Sequence, residues 1–96
     1  MKFYQGTGKI SNLVQVNNQI VTNLVIPKGQ EIRTHHVPYT VVVVPVKGKV
    51  IFSGEQDQKD IYPGIIVRMQ PDEKHKLHAL EDSELMVVKS RLEKID

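Results

Sequence analysis

Residues 40–46 read TVVVVPV, and the four consecutive valines constrain the fold more than any other feature of the chain. A strand with one wet face alternates polar and apolar residues, because successive side chains point to opposite sides. Val41 to Val44 do not alternate, so both faces of this strand must be covered. One face can fill a core, and the other needs a second sheet or a second copy of the chain. The run therefore predicts a homodimer as well as a strand. Pro45 removes one ladder donor and predicts an edge position or a bulge at that point.

Most other apolar segments also read as strands. QIVTNLVIP, KVIF, IIVRM and SELMVVKS are rich in β-branched residues. They are separated by PKGQ, VKGK, SGEQDQKD, YPG, QPDEK and LEDS, where Gly, Pro, Asp and Ser collect. Lys47-Gly48 between two apolar runs is a hairpin signal, and Pro63-Gly64 suits the centre of a type II turn. Only the tail, SRLEKID, suggests a helical turn. The expected fold class is all-β, an antiparallel sandwich or barrel in a single domain over residues 1–96.

Composition removes several functions. The 13 basic residues are scattered rather than clustered, and three Tyr and two Phe leave little for base stacking, so no nucleic acid is expected as a partner. The chain lacks cysteine, which rules out thiolate chemistry and Cys-based metal sites. The first ten residues carry no signal-peptide core, and no apolar run is long enough to span a bilayer, so no membrane association and a cytoplasmic location are expected. The serines, Ser11, Ser53, Ser83 and Ser90, sit in turns or at strand ends with no base beside them. Gly6-Thr7-Gly8 precedes no helix and is read as a turn rather than a phosphate loop.

Two spaced motifs carry a resemblance. Gly29 is followed after five residues by His35, and Gly48 closes the first motif; Gly64, Pro71 and His75 make the second. In this order the chain resembles the small single-domain cupins over roughly Leu24 to Lys89. The resemblance implies a jelly-roll β-barrel with a core at 24–89, and N-terminal strands in 1–23 that can be exchanged in a dimer. It also implies His35 and His75 at metal-ligand positions. The chain departs from the pattern where Val37 replaces the second histidine, Val41 or Val42 replaces the glutamate, and Glu73 replaces a glycine.

Four histidines are the candidates for chemistry. On a regular strand His35 and His36 face opposite ways, as do His75 and His78. The resemblance places His35 inside with His75, while His36 and His78 are further candidate metal ligands. A divalent transition metal, zinc, nickel, iron or manganese, is the cofactor that such a set would take. Arg33, Tyr39 and Gln70 are candidate ligand-binding residues, Arg33 because it would share the face of His35 on a regular strand. Met69 and Met86 are expected in the core or pocket wall. The expected function is binding of a small-molecule ligand, with or without a histidine-held metal and with no assignable reaction. The alternatives are a metal-dependent isomerase or oxygenase acting on a small polar metabolite, and a dimerisation or regulatory module with a vestigial pocket.

Overall fold

The computed structural model describes residues 1–92, and in them nine strands form two antiparallel sheets. They are β1 (Ser11–Val16), β2 (Gln19–Ile26), β3 (Glu31–His35), β4 (Thr40–Lys47), β5 (Val50–Ser53), β6 (Gln58–Ile61), β7 (Val67–Met69), β8 (His75–Ala79) and β9 (Ser83–Ser90). One sheet has the order β1-β2-β9-β4-β7 and the other β3-β8-β5-β6. This is a jelly-roll barrel, as expected. Among the described residues, no helix is long and apolar enough to cross a membrane.

The core lies between the sheets and is filled by alternate residues of facing strands. Val41, Val43 and Leu85 come from one sheet; Val50, Phe52, Ile61, Leu77 and Ala79 come from the other. In-register Ala79, Val50 and Ile61 close one end of the barrel, each 0% exposed. Two rows further along the same sheet, His35 pairs with His75 at the other end.

Val41 and Val43 are buried inward, while Val42 and Val44 are half-buried on the outer face. At Pro45 the register shifts, so the proline marks a bulge, on a strand whose β7 partner has already ended. Tyr62 to Ile65 form the turn expected around Pro63-Gly64, closed by an N–H···O bond of 3.0 Å, with Gly64 at φ 106°.

Four expectations are corrected. Gly48 does adopt positive φ, 85°, but β4 and β5 do not pair; the turn carries the chain from one sheet to the other, which is how a jelly roll encloses its core. The SGEQDQKD break is shorter than read, because Gln58–Ile61 is a strand whose polar side chains sit on an exposed edge. Met86 lies on the outer face of β9, one residue out of phase with buried Leu85. The boundary at residues 23/24 falls inside β2, which pairs with β9 along its whole length. As for the tail, Ser90 ends β9, and residues 93–96, where most of the helical turn was expected, lie outside the described residues.

Residues 6–9 cross the outer face of the larger sheet over Asn23, which is 0% exposed. Its Nδ2 donates to the Lys9 carbonyl at 2.9 Å. Gly6 permits this approach, since a Cβ there would lie 2.8 Å from both Asn23 Oδ1 and Glu84 Oε2. Asn23→Ala removes the only side-chain bond that anchors this segment to β2 among the described residues. The expected cost is about 1–2 kcal/mol, read as a fall in Tm of roughly 5–10 °C.

Candidate functional site

β3 and β8 hold the site, and an irregularity between them sets it up. Ile32 pairs with Leu77 and His35 with His75, so three steps along β3 match two along β8. An extra residue in a strand inverts the facing of the residues after it. Ile32 points inward, and the bulge turns the exposed His35 to the same face at the cavity rim, where regular alternation would have turned it away. The two imidazole rings stand 4.1 Å apart between centroids, tilted by 56°.

Each ring is tied by its Nδ1. His35 Nδ1 lies 2.8 Å from the Arg33 carbonyl and His75 Nδ1 lies 3.1 Å from the Glu73 carbonyl. A carbonyl oxygen only accepts, so in both contacts Nδ1 carries the proton and donates. The neutral rings therefore keep Nε2 as an acceptor with a free lone pair. Phe52 stacks on His75, with ring centroids 5.6 Å apart and planes within 5°.

Burial holds the His75 pKa below the ordinary histidine value; the Glu73 carbonyl bond opposes this and the neighbouring His35 adds to it. A buried neutral histidine binds fewer protons than the same residue in the unfolded chain. The stability it contributes is complete above the unfolded pKa and declines as pH falls through that value toward the folded one. Between pH 7.5 and 5.0 the wild-type Tm should therefore fall more steeply than that of His75→Gln, in parallel thermal melts. Equal slopes would contradict a buried neutral ring.

A cavity of about 220 Å³ opens beneath the pair, between the sheets. Its walls are apolar, with Leu24, Val41, Val43 and Leu77 among them, and Lys89 enters from the larger sheet. A second, wider cavity of about 690 Å³ lies between the β5–β6 and β7–β8 loops, and its lining carries charges of both signs. Phe52 and His75 border both.

The structure brings together two of the four candidate histidines. His36 is exposed, and its Nδ1 lies 3.4 Å from Asp72 Oδ1. His78 is on the outer face of β8, with Nδ1 3.3 Å from Glu31 Oε1, near enough for an ion pair but out of line for a hydrogen bond. Arg33, Tyr39 and Gln70 line neither cavity. The bulge separates Arg33 from the face of His35 and leaves it exposed. Tyr39 packs at the edge of the core under the Arg91 guanidinium, 5.3 Å from the ring centroid. Gln70 is exposed, and its main-chain N–H donates to Glu73 Oε2 at 2.7 Å.

No family model matches the chain, and no curated protein matches it. Solved structures do. A conserved protein of unknown function from Streptococcus pyogenes is 25% identical, covering 91% of this chain and 78% of its own, with a TM-score of 0.78. An RmlC-like cupin from Methanocaldococcus jannaschii with a double-stranded β-helix fold is 20% identical, with coverages of 94% and 90% and a TM-score of 0.81. The chain has the fold of a small cupin. A predicted oxalate decarboxylase from Thermotoga maritima shares this fold at 18% identity, with coverages of 86% and 79% and a TM-score of 0.78.

In this cupin barrel the described residues do not fit a closed transition-metal centre. Such a centre takes three or four protein donors, and among the described residues no group of three His, Asp or Glu comes together. Val37, where the cupin pattern has its second histidine, and Val41, one of the two positions matching its glutamate, line the cavity as apolar wall. Sequence reasoning missed Phe52 and Lys89. The signal for Lys89 was present in SELMVVKS, because Lys89 has the same parity as the apolar Leu85 and Val87 and must share their inward face. Phe52 carried no signal of its own, since its role depends on a contact with a residue from another strand.

Proposed function

We propose that this cupin-fold protein binds a small organic molecule in the cavity beneath His35 and His75, using the two imidazoles as polar anchors and no closed metal site. The supporting observation is the pair itself: two rings 4.1 Å apart, each fixed by a main-chain carbonyl, at a largely apolar cavity between the sheets that Thr22 and Lys89 also line. Small-molecule sites have this character, with apolar walls and a few placed polar groups. The test is a fragment screen read by methyl NMR at Val41, Val43 and Leu77, repeated on His35→Ala and His75→Ala. Shifts confined to the cavity and weakened by both substitutions support the reading, and a cavity silent to every fragment refutes it. Elemental analysis separates the alternative. Near-stoichiometric metal that both substitutions remove would favour a metal-dependent isomerase or oxygenase.

A second copy of the chain is the proposed partner. On the outer face of the larger sheet Val14, Val21, Val88 and Val42 lie side by side across four strands, all only half-buried. Val16, two residues on from Val14 along β1, adds exposed apolar surface at 56%. Contiguous apolar patches of this kind mark association surfaces. Light scattering at micromolar concentration should give a dimer, and Val42→Glu should give a monomer that keeps its fold. A monomeric wild type would remove this proposal.

A further inference from the structure

The 220 Å³ cavity has an uneven distribution of polar groups, and this narrows what it can hold. Its titratable lining residues are His35, His75 and Lys89; no aspartate or glutamate lines it. Lys89 pairs across its strand with Val41 and Ile20 and so shares the inward face of buried Val41. Among the described residues, no carboxylate pairs with Lys89. An anionic group on a ligand held in the cavity would form a charge-assisted hydrogen bond with the Lys89 ammonium.

The opposite wall has different chemistry. His35 and His75 spend their Nδ1 protons on main-chain carbonyls, so as neutral rings they present acceptors rather than donors. The cation sits on one sheet and the acceptors on the other, and packed sheets lie about 10 Å apart. Between them are Val43, Leu77 and Phe52, which offer no hydrogen bond. A cavity of about 150 Å³ holds benzene, so this one has room for one ring, or a chain of similar bulk, with small substituents.

We propose that the ligand is a small hydroxycarboxylate, with its carboxylate on Lys89, its hydroxyl donating to the His35–His75 pair, and an apolar body between them. The proposal rests on the reading of the cavity as a small-molecule site and adds the ligand's chemical class. It gives Lys89 a role that no motif assigns and makes the cavity select for one anionic and one donor group at opposite ends.

The test compares 4-hydroxybenzoate, benzoate and 4-hydroxybenzamide by calorimetry, with methyl NMR confirming occupancy of the cavity. 4-Hydroxybenzoate should bind tightest. Lys89→Gln, which removes the charge and leaves a polar side chain one atom shorter, should weaken both carboxylates about tenfold and leave the amide unchanged. If Lys89→Gln does not fold, Lys89→Met is read in its place. The inference is overturned if the amide binds as well as the acid, if Lys89→Gln affects all three equally, or if these probes fail while other fragments fill the cavity. If no fragment enters the cavity, the underlying binding reading falls as well.

Discussion

Gly48→Ala should be among the most damaging single substitutions in this protein, lowering stability by about 3–5 kcal/mol. Gly48 has φ 85°, a region where an L side chain costs about 1–2 kcal/mol. The added Cβ would also run into the Asp82 carbonyl and the Ser83 hydroxyl and lie 2.8 Å from Ser83 Cα. These neighbours are largely backbone and cannot rotate away. Moving them disturbs the joint that shuts the barrel, in which the Lys49 N–H donates to Ser83 Oγ at 3.1 Å and the Leu80 N–H donates to the Lys49 carbonyl at 2.9 Å. For a domain of this size the loss corresponds to a fall in Tm of roughly 15–30 °C. Gly29→Ala is the control, because Gly29 has the same φ of 85° with open space around it. It should lose only the conformational part, about 1–2 kcal/mol. Equal Tm values for the two variants would show that contact with the 82–83 turn contributes nothing.

Phe52→Ala should have a comparable effect on stability and a larger one on the site. Phe52 is 7% exposed, packs in the core and stacks on His75. Truncating a buried phenylalanine costs about 3–5 kcal/mol, measurable as a lower denaturation midpoint. Because its ring borders both cavities, removing it should also join them and admit water to His75. Burial is what depresses the His75 pKa, so a hydrated ring should titrate closer to an ordinary histidine. Phe52→Leu provides a folded comparison if the alanine variant is too unstable, with a smaller shift in the same direction. Imidazole NMR across a pH series reads the outcome directly. An unchanged His75 titration in both variants would mean that Phe52 does not shield it.

Much of the fold was legible because strand signals act over short range. The runs that became β2, β4, β5 and β9 were bounded to within one residue by their turn residues. Pro63-Gly64 specified its own turn chemistry. Short polar strands were less visible: β6, QKDI, has three exposed residues and comes after a loop of similar composition, so neither hydropathy nor propensity separates strand from loop there. The Gly48 turn misled for a related reason. A positive-φ glycine between apolar strands serves a hairpin and a crossing between sheets equally well, and only the pairing partners tell them apart.

The site divides along the same line. By itself the sequence determined the strand rhythm, the inward valines of β4 and the two histidines that the cupin resemblance placed near each other. It also determined the absence of acid at the positions where the cupin pattern needs it. Tertiary structure decided that a bulge in β3 turns His35 inward and Arg33 out of the cavity's reach. It also decided that Phe52 stacks on His75 and that Lys89 faces the imidazoles across the gap between sheets. The reason is physical: facing along a strand follows a local period of two, but a single inserted residue reverses it, and contacts between sheets join residues far apart in the chain that carry no mark of one another.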